Sequence, residues 1–102
     1  MTYLLQVDFK MEGPYGEEMS NDFAELAQSI NDEPGMIWKI WTEDAAAKVA
    51  GGIYLFETKE TAQTYLEMHS ARLTSFGIQD IRGKIFENNV ALSSINNGPI
   101  DI

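Results

Sequence analysis

The chain has no cysteine. That excludes disulfides, thiolate nucleophiles and cysteine-ligated zinc or iron–sulfur centres, and it fits a reducing cytoplasm. Histidine occurs once, at His69, so a metal site would have to be built on carboxylates. Basic residues are scarce: seven Lys and Arg face sixteen Asp and Glu, which leaves a net charge of −9. The few cations are scattered. Such a surface repels both the nucleic-acid backbone and anionic lipid, so neither is an expected partner. No apolar run approaches the ~20 residues of a membrane span, and no basic-then-apolar leader is expected at the start. Also missing are a G-x-G-x-x-G fingerprint, a P-loop, a G-x-S-x-G elbow and an H-x-x-E-H type metal helix. Flavin and nicotinamide therefore have no sequence support, and no cofactor is expected.

What is present fits one small globular domain, residues 1–102. The apolar share of 44% and the charged share of 23% lie in the globular range. A chain of this length buries roughly 65% of its unfolded surface, enough for one core. The focal stretch is Glu33-Pro34-Gly35-Met36-Ile37-Trp38-Lys39-Ile40-Trp41-Thr42-Glu43, a turn running into a strand that carries both tryptophans. Strand side chains alternate faces. Trp38 and Ile40 therefore point one way, and Ile37, Lys39 and Trp41 the other. Each face receives a large apolar group, so the sheet should be covered on both sides.

The remaining elements follow from pattern. Tyr3–Phe9 reads as a strand, with Tyr3, Leu5, Val7 and Phe9 on one face. A helix is expected from about Tyr15 to Asn31 on the stripe Met19, Phe23, Leu26, Ala27 and Ile30. Ala50–Glu57 forms a third strand, hairpinned to the tryptophan strand across Asp44–Lys48. In it, Gly51-Gly52 either leaves room for a neighbour or marks a bulge. Thr58 is a candidate N-cap for a second helix running to about Phe76, and Gly77 its stop. That helix carries the line Ala62, Tyr65, Leu66, His69, Leu73, Phe76. A fourth strand is expected over Ile78–Glu87. Residues 88–102 form an extension whose Leu92, Ile95, Ile100 and Ile102 are too apolar for a free tail; it should pack on the body or on a partner. The order β-α-β-β-α-β predicts an α+β, ferredoxin-like domain with a four-stranded antiparallel sheet. One sheet face is then bare unless a second copy covers it.

Several stretches together carry a resemblance: Gly13-Pro14-Tyr15-Gly16; Ser29 to Glu43, with Glu-Pro-Gly-x-x-Trp-Lys-x-Trp-Thr-Glu at its centre; Ala50 to Phe56; and Tyr65 to Leu73. With them the chain resembles the YdhR-type monooxygenase family of the dimeric α+β barrel superfamily, from the first strand to about Asn96. The resemblance implies a homodimer paired through the sheet faces and a cavity between each sheet and its helices. It also implies cofactor-free oxygenation of small aromatic compounds, phenols or quinone precursors, with O2 as co-substrate. It carries no catalytic set onto these positions.

The candidate site therefore rests on chemistry. His69 is either a core histidine with one satisfied hydrogen bond or a general base, since imidazole titrates near neutrality. Arg72, three residues on along the helix, either steadies a phenolate or superoxide or makes a surface ion pair. Tyr54 is a second candidate for steadying developing charge. Trp38, Trp41 and Tyr65 offer rings for a substrate, or for core and dimer contact. Asn31 either serves the turn or touches a ligand. The alternative function is a non-catalytic small-molecule or heme-binding protein on the same scaffold.

Overall fold

The computed structural model describes residues 1–100. The expected packing of Ile102 lies outside the described residues. Four strands, β1 (Tyr3–Lys10), β2 (Met36–Asp44), β3 (Val49–Phe56) and β4 (Arg82–Glu87), form one sheet in the order β2-β3-β1-β4. Every neighbouring pair is antiparallel. Helices α1 (Gly16–Asp22), α2 (Ala24–Ile30) and α3 (Lys59–Ser75) connect them, and α4 (Val90–Ile95) follows the last strand. This is the ferredoxin-like α+β arrangement. No helix among the described residues is long and apolar enough to cross a membrane.

Register sorts the side chains. Leu5 pairs with Tyr54 and Val7 with Gly52, while Lys39 pairs with Tyr54 and Trp41 with Gly52. These residues face the helices. Leu5, Val7, Phe9, Tyr54 and Phe56 are buried there against Met19, Ile30, Tyr65 and Leu73. Burying side chains of this size contributes about 1.5–3 kcal/mol each. The other face carries Leu4, Trp38, Ile40, Ile53 and Phe86, with Ile40 52% and Phe86 43% exposed.

The α3 boundaries follow the expected chemistry. The Thr58 hydroxyl accepts from the Thr61 amide, capping the N-terminus. At the other end Gly77 adopts φ 90°. Its amide donates to the Thr74 carbonyl, and Ile78 donates to Leu73. That is the paired bonding of a glycine-stopped helix, which a side chain at φ > 0 would strain.

Three boundaries differ from expectation. The first helix is broken at Phe23, whose φ of −107° and ψ of 9° leave helical geometry. An apolar stripe continues across such a break, so periodicity does not reveal it. The fourth strand begins at Arg82 rather than Ile78, because Gly77–Ile81 is spent closing α3 and returning to the sheet. In β2 the register slips between Met36 and Trp38. Met36 thereby packs against the core and Ile37 falls in the irregularity. From Trp38 onward the alternation holds.

The C-terminal segment is folded back. The Asn89 side chain caps α4 by accepting from Leu92, the Trp38 indole donates to the Pro99 carbonyl at 2.9 Å, and Ile100 is 7% exposed. Leu92 and Ile95 stay exposed, at 61% and 75%.

Candidate active site

A cavity of about 390 Å³ lies between the helix-facing side of the sheet and the helices, a volume typical of small-molecule sites. Met19 of α1, Phe23, and Leu26 of α2 line one side; Trp41 of β2 and Leu73 of α3 line others. The titratable side chains in its wall are Lys39, Tyr54 and His69; Thr42 alternates with Trp41 and turns its hydroxyl to the other face of the sheet. The strand period brings Lys39, Trp41 and Tyr54 to this face, and the α3 stripe brings His69 over it.

His69 is 4% exposed. Its ring stacks on Tyr65, with centroids 5.1 Å apart and planes at 23°. Arg72, one turn further, places Nη2 2.9 Å and Nε 3.3 Å from His69 Nδ1. A guanidinium has only donors, so Nδ1 accepts and the neutral ring carries its proton on Nε2. Burial, then the charges of Lys39 and Arg72, push the His69 pKa down to about 3. Both facts oppose the general-base role expected of His69: one nitrogen is occupied and the other is protonated. What the ring retains is a donor.

The Tyr65 hydroxyl donates to the Tyr54 hydroxyl at 3.1 Å, which leaves the Tyr54 proton available to a further acceptor. Burial pushes both phenols above the usual tyrosine range. They are neutral donors at any physiological pH.

Lys39 is the residue that sequence reasoning missed. Its Nζ sits 3.4 Å from the centroid of Trp41 and 4.7 Å from that of Tyr54, where ring quadrupoles favour a cation. Burial and the charge of Arg72 lower its pKa from 10.5 to about 7. The signal was in the alternation: Lys39 shares a face with Trp41, and that face is the one the helices cover.

The expected site residues thus divide. His69, Tyr54 and Trp41 line the cavity. Arg72 and Tyr65 are outside its wall but hold His69 and Tyr54 through the contacts above. Trp38 is on the opposite face, bonded to Pro99. Asn31 is exposed at the C-terminal end of α2, where its amide donates to Gln28 and Ser29 carbonyls. Neither is brought to the cavity. Phe23 closes one side by stacking on Trp41 at 6.2 Å and 29°. Its place depends on the helix break. Among the described residues no three His, Asp or Glu side chains gather as a metal-binding group.

Residues 4–99 match the family model described as "Putative mono-oxygenase ydhR". No curated protein matches. Among solved structures the chain is similar to a variant of SnoaB, a cofactor-independent oxygenase from Streptomyces nogalater. That likeness has a TM-score of 0.60 and 14% identity, over 86% of this chain and 93% of the other. It is also similar to a protein from Deinococcus radiodurans described as a "putative antibiotic biosynthesis monooxygenase", with a TM-score of 0.57 and 13% identity over 87% and 93% of the two chains. At these identities the likeness establishes a shared fold.

Proposed function

The chain belongs to the ydhR mono-oxygenase family, and from that premise we propose that it is a cofactor-independent mono-oxygenase of small phenolic compounds acting as a homodimer. The observation that carries the reading is the makeup of the cavity. Its side chains are mostly apolar, and among them stand three groups suited to a phenolic oxygen: a neutral imidazole N–H, a neutral phenol and a lysine. A cofactor-independent oxygenase on the same fold supports it.

In this reading the substrate ring lies against Trp41 and Phe23. His69 Nε2–H and the Tyr54 hydroxyl donate to the substrate oxygen and steady its negative charge. Arg72 is a positioning residue that holds the imidazole tautomer. The electron-rich anion passes one electron to O2, and the radical pair joins as a carbon-bound hydroperoxide. Loss of water then leaves a quinone. One phenol and one O2 yield one quinone and one water, so no external reductant enters. The apolar wall keeps water from the intermediates.

The second copy belongs on the outer sheet face. Ile40 and Phe86 are exposed there beside Leu4, Ile53 and Trp38, the kind of apolar patch that marks an interface. Sedimentation of the wild type and of the Ile40→Asp/Phe86→Asp variant tests this. A monomeric wild type at micromolar concentration refutes the dimer.

Activity is tested by O2 uptake with naphthols and hydroquinones, without added metal or flavin, and by 18O2 labelling of product. Ligand binding with no O2 uptake would replace the oxygenase with a non-catalytic binding protein.

A further inference from the structure

We propose that Lys39 accepts the substrate's hydroxyl proton and then holds the phenolate as its counter-ion, so that the cavity takes acidic phenols and enols as anions. This rests on the mono-oxygenase reading above and names the group which that reading leaves open: the base.

Three geometric observations point to it. Lys39 is the one cation in the cavity wall among the described residues, and no carboxylate pairs with it; the ion pairs among the described residues, Lys48–Glu12 and Arg82–Asp8, lie outside the cavity. A half-buried ammonium without an anion is costly, which suits a site whose anion arrives with the ligand. The second observation is the slot the side chain occupies. A Cβ on Gly52 would lie 2.7 Å from Lys39 Cε and 3.2 Å from the Tyr54 ring. The missing side chain at position 52 is what lets Lys39 lie across β3 and place its amine over Trp41 and Tyr54. The third is the company it keeps. From α3 it is faced by Arg72 and His69, from β3 by Tyr54; α1, Phe23 and α2 contribute only apolar Met19, Phe23 and Leu26. The other titratable residues of the wall, His69 and Tyr54, are neutral and can donate. Nothing anionic competes for a bound phenolate.

The proton balance follows. Burial and Arg72 hold Lys39 near a pKa of about 7, so a large fraction of the amine is neutral at physiological pH. The neutral amine takes the phenol's proton: the O–H bond breaks, an N–H bond forms, and the electron pair stays on oxygen. The complex is an ammonium–phenolate pair, and no net charge enters the cavity. Below about pH 7 the free lysine is already charged, so binding must release a proton and weakens tenfold per unit. Above the phenol's own pKa, about 10 for an ordinary phenol, the ligand is already anionic; binding must take up a proton and weakens again. Between the two, affinity is flat and no proton is exchanged with buffer.

The test uses the full chain and 2-naphthol, whose anion absorbs to the red of the neutral form, with its methyl ether as control. The expected result at pH 8 is a naphtholate difference spectrum on binding, although free naphthol is neutral there. Calorimetry in buffers of different ionisation enthalpy should show no proton exchange, and the ether should bind at least tenfold more weakly. Lys39→Met should lose the naphtholate signal and at least tenfold in affinity. Lys39→Arg cannot become neutral, so it should bind with release of one proton wherever the free naphthol is neutral, pH 8 included. Naphthol bound in neutral form, equally well by wild type and Lys39→Met, overturns the lysine assignment and leaves the phenolic site standing. No binding of naphthol by any form overturns both.

Discussion

Lys39→Met should change how stability depends on pH, and by an amount that follows from the structure. The ordinary lysine pKa is 10.5, and burial with the charge of Arg72 brings it to about 7 in the folded protein. At about 1.36 kcal/mol per pH unit, that gap sets a ceiling near 5 kcal/mol on the cost of burying the ammonium. Relaxation and solvent reaching the cavity reduce it, so about 2–4 kcal/mol is expected. The folded value lies below the unfolded one. The cost is therefore fully present below about pH 7 and disappears as pH rises toward 10.5. Methionine never carries that cost. The stability of the variant relative to wild type should thus be greatest near pH 6 and fall by about 2–4 kcal/mol by pH 10. Titrating groups that Lys39 does not touch cancel in the difference, as does any fixed change in packing; His69, whose pKa the Lys39 charge helps to lower to about 3, titrates in the folded wild type below the pH range compared. Urea unfolding at a series of pH values reads this directly; with slopes of about 1–3 kcal/mol per molar, the gap in midpoint should close by roughly 1–2 M. Parallel pH profiles for the two proteins would refute the burial argument for Lys39 and with it the low folded pKa.

Further outcomes follow from other parts of the fold. Phe56→Ala removes a fully buried ring packed on Tyr54 and Tyr65 and should cost about 3–5 kcal/mol in urea unfolding. Thr58→Ala removes the hydroxyl that caps α3 and should cost about 1 kcal/mol, with helix content little changed by circular dichroism. Gly52→Ala meets the mobile end of Lys39 at 2.7 Å; it should fold, but with the Lys39 titration returned toward the ordinary lysine range in NMR of its Cε group. His69→Gln keeps an acceptor for Arg72 and a donor for the cavity, so it should retain more kcat than His69→Ala. Equal loss in both would show that the imidazole is needed as a base after all.

Much of the site's frame could be read from the chain. Period-2 alternation along Trp38–Trp41 put Lys39 and Trp41 on one face and Trp38 on the other, and the α3 stripe put Tyr65 and His69 together. Roles were less legible. His69 was noticed because histidine titrates near neutrality, yet its protonation is decided by Arg72 on Nδ1 and by burial. Lysine is usually solvated, and the depressed pKa of Lys39 exists only inside the packed cavity.

Local pattern by itself determined the order of elements, the helix caps at Thr58 and Gly77, the faces of the strands and hence the ferredoxin-like fold. These depend on neighbours a few residues apart, and that information is periodic along the chain. Only the tertiary structure decided where α1 and α2 break, which puts Phe23 on Trp41; where β2 slips register at Met36; and which way the tail folds, which gives the Trp38 indole its acceptor at Pro99. It also decided the chemistry of the cavity, because desolvation and the coupling of Lys39 on β2 to the His69–Arg72 pair on α3 arise from groups that approach across strand and helix. Electrostatic environment is a property of distance in space; the spacing of three along α3 brings Arg72 to His69, but nothing along the sequence brings Lys39 to either.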